Sequence, residues 1–304
     1  MNDKEFGLRV RRLREKANIT REEFCGDEIE LSVRQLSRIE AGSSKPTFSK
    51  ISFIANRLGM TLYELMPDYV AVDSRYTQLK YQLLRTPTYG ETDRVSKRDE
   101  LVTEIYDEFY DELPEEEQLV VDTMRSLFDV LATDSQEYGK DIIEEYVYQI
   151  IQKQRLTIND FLICRLFMIH ISIGDLKKDD TSYETFLTLA QRLPEEERTT
   201  DFESLFVLRD LLFSVIYALY SIKEHVYILA CIETIEAIMQ RTQDFQKKPI
   251  VGLVRWKYVL KTDGDSEKAK DYYDQAVMFA ELLGDSHLVE QLNKEWEQDI
   301  KNCT

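Results

Sequence analysis

Two arginines and a glutamine recur at helical spacing in the segment SVRQLSRIEAG, which spans residues 32–42. The apolar residues Val33, Leu36 and Ile39 of this segment fall on one face of a helix. Five polar residues are therefore predicted to project outward: Ser32, Arg34, Gln35, Ser37 and Arg38. Guanidinium groups pair with guanine O6 and N7, and carboxamides pair with adenine N6 and N7. This face could read base edges in DNA, although arginines on a helix surface are in most proteins simply solvated.

A second polar set suits contacts with phosphates, because its members lie at predicted helix starts or in the loop after the segment. The set comprises Thr20, Ser43, Ser44, Lys45 and Lys50. Thr20 is followed three residues later by Glu23, which predicts a capping box. Glu40 is expected to pair with an arginine of the first helix as a structural brace rather than to contact DNA.

Five short helices within residues 7–65 would position these side chains. The order LRVRRLRE, TREEF, SVRQLSRIEAG, PTFSKISFIANRLG and TLYEL resembles helix-turn-helix domains of the XRE or Cro/C1 family. This resemblance implies that the helix in the segment SVRQLSRIEAG enters the major groove. One departure is the turn at residues 27–31, which is one residue longer than the glycine-centred turn of that family.

The charge of the chain divides at the same place. Residues 1–66 hold twelve Lys or Arg against ten Asp or Glu, net +2, whereas the remaining 238 hold 27 against 47, net −20. A polyanion is excluded as a ligand of that acidic body. Contact with DNA is therefore confined to the N-terminal domain.

The composition indicates an all-helical protein of one or two domains, with 43% hydrophobic residues, ten Gly and six Pro in 304 residues. Because the chain has no apolar run of membrane-spanning length and no signal-peptide core, a cytoplasmic protein without membrane contact is expected. Four dispersed cysteines and three histidines form no zinc or catalytic pattern, and no phosphate-binding loop occurs. We therefore expect no metal, no cofactor and no enzymatic activity.

Residues 67–93 are predicted to be a linker that contains a connecting helix, and residues 94–304 are predicted to form about ten amphipathic helices. Near the C-terminus, Gly264, Ala269, Tyr273 and Ala276 stand at the offsets of a tetratricopeptide repeat. The fold predicted for the body is thus an α-solenoid of degenerate tetratricopeptide repeats.

The motif Leu-Pro-Glu-Glu-Glu occurs at residues 113–117 and again at residues 193–197, in both cases as a predicted helix start. The repetition either marks equivalent points of a duplicated unit or is accidental. The acidic residues Glu115, Glu116 and Glu117 could occupy the basic recognition helix in place of DNA and so inhibit the protein, or they could merely face water. The pair Glu144 and Glu145 is interpreted as a solvated helix face.

The order of a helix-turn-helix domain and a tetratricopeptide array resembles the RRNPP family of peptide-sensing regulators of Gram-positive bacteria. The segments RTPTY, IYDEFYDELPEEE, LTINDFL and AKDYYDQAVMFAELLGDS are most similar to its streptococcal ComR and Rgg branch. The resemblance implies a quorum-sensing transcription factor that binds a short imported hydrophobic pheromone peptide. It would then dimerise through residues 265–300, bind promoter DNA and activate competence-type genes. A scaffold or adaptor, or a repressor antagonised by pheromone, remains the alternative.

Polar and aromatic residues within strongly apolar helices are candidates for lining a peptide groove, because an unpaired charge there is costly. They are Asn159, Arg165, His170, Arg209, Phe213, Arg255 and Lys257. The alternative for each is a salt bridge within the array.

Overall fold

The computed structural model describes residues 3–60, 62–65, 73–174, 176 and 180–303. Across these residues the regular structure is helical, and no strand occurs in them. The helices are α1 (Asp3–Lys16), α2 (Arg21–Cys25), α3 (Val33–Ala41), α4 (Phe48–Leu58), α5 (Leu62–Leu65), α6 (Ser74–Arg85), α7 (Thr92–Glu108), α8 (Glu115–Thr133), α9 (Lys140–Gln152), α10 (Ile158–Ile173), α11 (Thr181–Arg192), α12 (Leu205–Ser221), α13 (Ile228–Thr242), α14 (Lys248–Thr262), α15 (Ser266–Leu282) and α16 (Ser286–Cys303).

The first five helices enclose a core of their own. It contains Phe6, Val10, Phe24, Leu36 and Ile39 together with residues of α4 and α5. Burying each of these side chains contributes about 1.5–3 kcal/mol. Helix α1 lies so close to α3 that a Cβ on Gly7 would stand 2.1 Å from the carbonyl oxygen of Ile39. The predicted five-helix domain is confirmed.

In the long turn before α3, two residues have a positive φ, in the left-handed region of backbone conformation. Gly26 ends α2 at φ 65°, and Glu28 follows at φ 59°. Only glycine adopts this backbone without steric cost. The glycine of the turn is therefore Gly26, which lies one residue before the segment 27–31. Ser32 then begins α3 in an extended conformation.

The connecting helix of the predicted linker is α6, whose start is capped by the carboxylate of Asp73 accepting a hydrogen bond from the backbone of Arg75 at 2.6 Å. Residues 67–72 of the predicted linker lie outside the described residues. The described chain divides into two compact units. Unit 1 comprises residues 1–86, 97–133 and 137–163, and unit 2 comprises residues 87–96, 134–136 and 164–304. Helices α8 and α9 are therefore packed in the same unit as the helix-turn-helix domain.

In unit 2 the predicted tetratricopeptide pair is formed by α14 and α15. Ala269 and Ala276 are buried between them, and Gly264 turns the chain at φ 65°. Trp256 of α14 meets the ring of Tyr273 edge-on at a centroid distance of 5.7 Å, and Tyr273 stacks on Trp296 of α16 at 4.8 Å. This small-residue and aromatic interlock confirms the repeat predicted from the sequence.

The two Leu-Pro-Glu-Glu-Glu motifs differ in structure. The first begins the long helix α8, whereas the second is a 3-10 helix, Leu193–Arg198, that directly follows α11. Among the helices described, none combines the length and apolar character that a membrane span requires.

Candidate nucleic-acid interface and its acidic cover

Helix α3 begins with a capping box that changes the predicted interface. The Ser32 hydroxyl accepts a hydrogen bond from the backbone of Gln35 at 3.2 Å, and the Gln35 carboxamide accepts one from the backbone of Ser32 at 3.0 Å. Gln35 and Tyr146 of α9 line the same pocket. Both Ser32 and Gln35 are buried. The prediction that they face outward is wrong, because the capping box holds the glutamine against the helix end.

Arg34 and Arg38 do project from α3, and both meet carboxylates. Arg34 donates to Glu145 of α9 at 2.8 Å, although 70% of its side chain stays exposed. Arg38 forms an ion pair with Glu115 at the start of α8 and lies 3.5 Å from Glu145. The interpretation of Glu145 as a solvated residue is therefore wrong. We call Glu115, Glu116 and Glu145 the acidic cover.

The loop between α3 and α4 docks on the start of α8. The backbone N–H of Glu115 donates to the carbonyl oxygen of Lys45 at 2.6 Å, and the Lys45 ammonium donates to the carbonyl oxygen of Glu112 at 3.1 Å. The Thr47 hydroxyl donates to Glu116 at 2.7 Å. These contacts satisfy a helix-start N–H that would otherwise lack a partner.

Lys50, predicted to contact phosphate, is buried in this structure. Its ammonium lies 3.6 Å from the carboxylate of Glu116. Burial lowers the pKa of Lys50, and the neighbouring carboxylates of Glu116 and Glu115 partly oppose that effect. Lys50 therefore pairs with a carboxylate here, and its contact with a DNA phosphate stays a prediction.

Four other predicted contacts lie around this surface. Thr20 is exposed and caps α2 through the predicted capping box with Glu23. The Ser43 hydroxyl donates to the carbonyl oxygen of Arg38 at 3.1 Å. Ser37 and Ser44 are half-buried. Contact of these residues with DNA stays a prediction.

Glu117, the third predicted acid of the α8 start, faces a different element. Its carboxylate accepts hydrogen bonds from the Tyr76 hydroxyl at 2.6 Å and from the Lys80 ammonium at 2.8 Å. Both partners belong to the connecting helix α6. Glu117 therefore attaches α8 to the connecting helix and not to α3.

Glu40 forms the predicted brace. Its carboxylate, 1% exposed, accepts hydrogen bonds from Arg14 at 2.6 Å and from Arg21 at 2.8 Å. The hydrogen bond to Glu40 raises the pKa of Arg14, although burial acts in the opposite direction. Glu40 thus fixes α3 to α1 and α2.

The seven candidate peptide contacts are divided between the two units, with Asn159 in unit 1 and the other six in unit 2. Asn159 lies in unit 1 and donates to the carbonyl oxygen of Glu116 at 3.4 Å. Arg255 pairs with Glu236, and Lys257 pairs with Glu295 at 2.8 Å. For Arg255 and Lys257 the structure therefore shows the alternative role, a salt bridge within the array.

The other four candidates lie on α10 and α12. His170 is buried, and its carbonyl oxygen accepts a hydrogen bond from Gln136 at 2.8 Å. Phe213 is half-buried. Arg165, Arg209 and Lys247 lie close enough to Asp210 for their charges to lower its pKa. Lys247 stands in a polar segment before α14, so the sequence pattern does not single it out.

Comparison with known proteins decides the family. A model described as ComR tetratricopeptide matches residues 74–296, and a helix-turn-helix model matches residues 10–65. The chain belongs to the ComR family. It is therefore a regulator of the RRNPP type, as the resemblance predicted.

Solved structures agree with this assignment. ComR from Streptococcus suis is 49% identical, with 98% of this chain and 96% of that chain covered and a TM-score of 0.85. The apo form of ComR from S. thermophilus is 29% identical, with 98% and 99% covered and a TM-score of 0.85. ComR from S. thermophilus in complex with DNA and its signalling peptide ComS is 30% identical, with 97% and 99% covered, but its TM-score is 0.68. No curated protein matches the chain. The structure is thus more similar to the apo form than to the complex.

Proposed function

We propose that the protein is a cytoplasmic transcription factor controlled by a short signalling peptide. In this proposal residues 1–66 bind promoter DNA, residues 94–304 bind the peptide and residues 67–93 connect them. Membership of the ComR family supports the proposal, and the S. thermophilus relative has been solved with DNA and its signalling peptide.

The observation that carries the proposal is the occupation of the recognition helix by the acidic cover. Arg38 cannot contact a base while Glu115 and Glu145 lie against its guanidinium group. The acidic cover also has the charge that a DNA backbone would present, so cover and DNA compete for the same cations. The structure therefore corresponds to an inhibited state in this proposal.

Peptide binding would shift the equilibrium towards a form in which α3 is free. A ligand achieves this only through tighter binding to the open form. A difference of about 2–3 kcal/mol between the two forms is enough to suppress DNA binding by one to two orders of magnitude. A few ion pairs can therefore supply the free-energy difference that this control requires.

The DNA-bound form is proposed to be a two-fold dimer. One five-helix domain buries too little DNA surface for regulatory specificity, whereas two domains reading two half-sites provide it. The α15 and α16 region, residues 265–300, is the proposed meeting point of the subunits. Light scattering of the DNA complex should show two chains per duplex.

The experiment that tests the function measures the affinity for the promoter fragment upstream of the gene by fluorescence anisotropy. Synthetic hydrophobic peptides encoded by short reading frames beside the gene are added in turn. We expect at least one peptide to increase promoter affinity at least tenfold. A peptide that decreases affinity would establish the repressor alternative. Absence of both promoter binding and peptide binding would refute the proposal in favour of a scaffold.

A further inference from the structure

A cavity of about 270 Å³ opens in unit 2 between three helices. Helix α13 contributes Glu236 to its lining, and the other lining residues belong to α14 and α15. The basic residues Arg165, Arg209 and Lys247 do not line this cavity. It is therefore separate from the region in which those three cations lie.

The floor of the cavity is formed by small residues. Gly252 of α14 lies against α15, where a Cβ on Gly252 would stand 2.7 Å from the Cβ of Ala276. Two aromatic residues of α15, Tyr272 and Phe279, line the cavity and stand before and after Ala276 in the sequence. Because they are seven residues apart, they are separated by about 10.5 Å along the helix axis. This spacing leaves a slot above the floor that a flat apolar group can occupy.

Two cations of α14 converge on the carboxylate of α13. The Lys248 ammonium donates to Oε1 of Glu236 at 3.0 Å, and the Nε of Arg255 lies 3.4 Å from the same oxygen. The Arg255 guanidinium also lies 5.7 Å from the centroid of the Tyr272 ring. The slot is therefore bounded by cations as well as by aromatic rings.

The charges of the lining do not balance. Lys248 and Arg255 are two cations, and Glu236 is the one carboxylate among the residues that line the cavity. Burial would raise the pKa of Glu236, but the hydrogen bonds from Arg255 and Lys248 lower it, so the carboxylate is ionised. Glu233, a further carboxylate near Arg255, is exposed and does not line the cavity. The lining thus carries a net charge of +1.

Donor groups remain on the lining for a second carboxylate. The Nη1 of Arg255 forms no hydrogen bond with the part of the chain that the structure describes. The Lys248 ammonium, which has three N–H donors, gives one of them to Glu236. The exposed Gln275 side chain also lines the cavity and has no hydrogen-bond partner among the described residues. One further anion can therefore bind without displacing Glu236.

We propose that this cavity binds a small monocarboxylate with a flat apolar body, that is, an aromatic acid. Its carboxylate accepts hydrogen bonds from Lys248 and Arg255 and neutralises the charge of the lining. Its ring lies over Gly252 between the two aromatic side chains, where contacts between rings are favourable. Pockets for drug-sized ligands measure about 300–1,000 Å³, so a cavity just below that range suits one or two rings and not an extended peptide. The site goes beyond the proposed function, because it requires neither peptide nor DNA.

The probe that tests the site is indole-3-acetate, and its neutral counterpart is indole-3-acetamide. Saturation-transfer NMR titrations measure the affinity of both for the full-length protein without peptide or DNA. The variants are Lys248→Gln, Arg255→Gln and Lys270→Gln, each checked for folding by circular dichroism. Lys270 of α15 is the matched control, because it is also paired with a carboxylate, Asp274 at 2.6 Å, but does not line the cavity.

For the wild-type protein we expect indole-3-acetate to bind with a Kd of about 0.1–1 mM. The amide should bind about tenfold more weakly, because it lacks the charge that the two cations recognise. Lys248→Gln and Arg255→Gln should each weaken binding of the acid by about tenfold, whereas Lys270→Gln should leave it unchanged. Saturating acid should also raise the Tm of the wild-type protein by about 2–4 °C, since a ligand that binds the folded state stabilises it.

Absence of saturable binding of the acid up to about 10 mM would overturn the inference. Equal affinity of the acid and the amide for the wild-type protein would overturn it as well, and this comparison decides even where a variant is unfolded. A folded Lys248→Gln or Arg255→Gln variant that binds the acid as tightly as Lys270→Gln does would show that the acid binds elsewhere. None of these results bears on the binding of peptide or DNA, so the proposed function is tested independently.

Discussion

Removing the charges that cover the recognition helix should release DNA binding without peptide. The double variant Glu115→Gln, Glu145→Gln keeps the size of both side chains and abolishes their ion pairs with Arg38 and Arg34. The Arg34 pair is largely exposed, with 70% of the arginine side chain accessible, so it contributes about 0.5 kcal/mol. The Arg38 pair is more enclosed, with 12% of the Glu115 side chain exposed, and contributes about 1.5 kcal/mol. A total of about 2 kcal/mol corresponds to a roughly 30-fold gain in promoter affinity without peptide.

The assay is an anisotropy titration of a labelled promoter fragment at several salt concentrations. The matched control is Glu112→Gln, Glu144→Gln, which removes the same number of charges from two exposed residues whose side chains form no hydrogen bond or ion pair with the residues that the structure describes. The gain over wild type should shrink as salt increases, because exposed ion pairs are screened. A double variant that binds DNA no better than its control would show that the acidic cover does not inhibit.

Three further outcomes follow from the geometry of unit 1 and from the buried thiols. In the presence of peptide, Arg34→Ala should weaken binding to the cognate site by about 1–3 kcal/mol and relax the sequence preference in competition titrations. Gln35→Ala should instead lower the free energy of unfolding by about 1 kcal/mol in urea titrations and leave the sequence preference for DNA unchanged. Glu40→Gln should lower the free energy of unfolding by about 3 kcal/mol, because it leaves buried arginine donors without their carboxylate; a change below about 0.5 kcal/mol would contradict the brace. Burial raises the pKa of the Cys25 and Cys231 thiols to about 12, so at pH 8 iodoacetamide should alkylate both only in denaturant, as peptide mass spectrometry would detect.

The spacing of apolar residues in the sequence predicted the buried face of α3 correctly. Leu36 and Ile39 are buried as their helical period requires, and Glu40 pairs with α1. The position of Gln35 was wrong although the signal was present. Serine followed three residues later by glutamine is itself a capping-box pattern. The sequence allowed Gln35 either to project towards DNA or to complete the capping box, and in the structure it completes the capping box.

Contacts between distant parts of the chain were predicted less completely. Glu145 pairs with Arg34 across 111 residues, and nothing near Glu145 in the sequence distinguishes it from the exposed Glu144. Arg165 and Arg209 were identified because a cation in an apolar helix needs a partner. Lys247 was missed because its neighbours in the sequence are polar, and its proximity to Arg165 and Arg209 depends only on the packing of distant helices.

The start of α8 explains how one movement could alter the whole DNA-binding surface. Successive residues of an α-helix are 100° apart, so three consecutive acidic side chains must point in three directions. Glu115 meets the recognition helix α3, Glu116 meets α4, and Glu117 meets the connecting helix α6. The first N–H of α8 is bound by the carbonyl oxygen of Lys45 at 2.6 Å. Because hydrogen bonds weaken steeply beyond their normal distance, a shift of α8 by about 2 Å would break these contacts together. Displacement of this one helix end would therefore free Arg38 from Glu115 together with the α3–α4 loop and Lys50, whereas the contacts of Arg34 and Arg38 with Glu145 also require α9 to move.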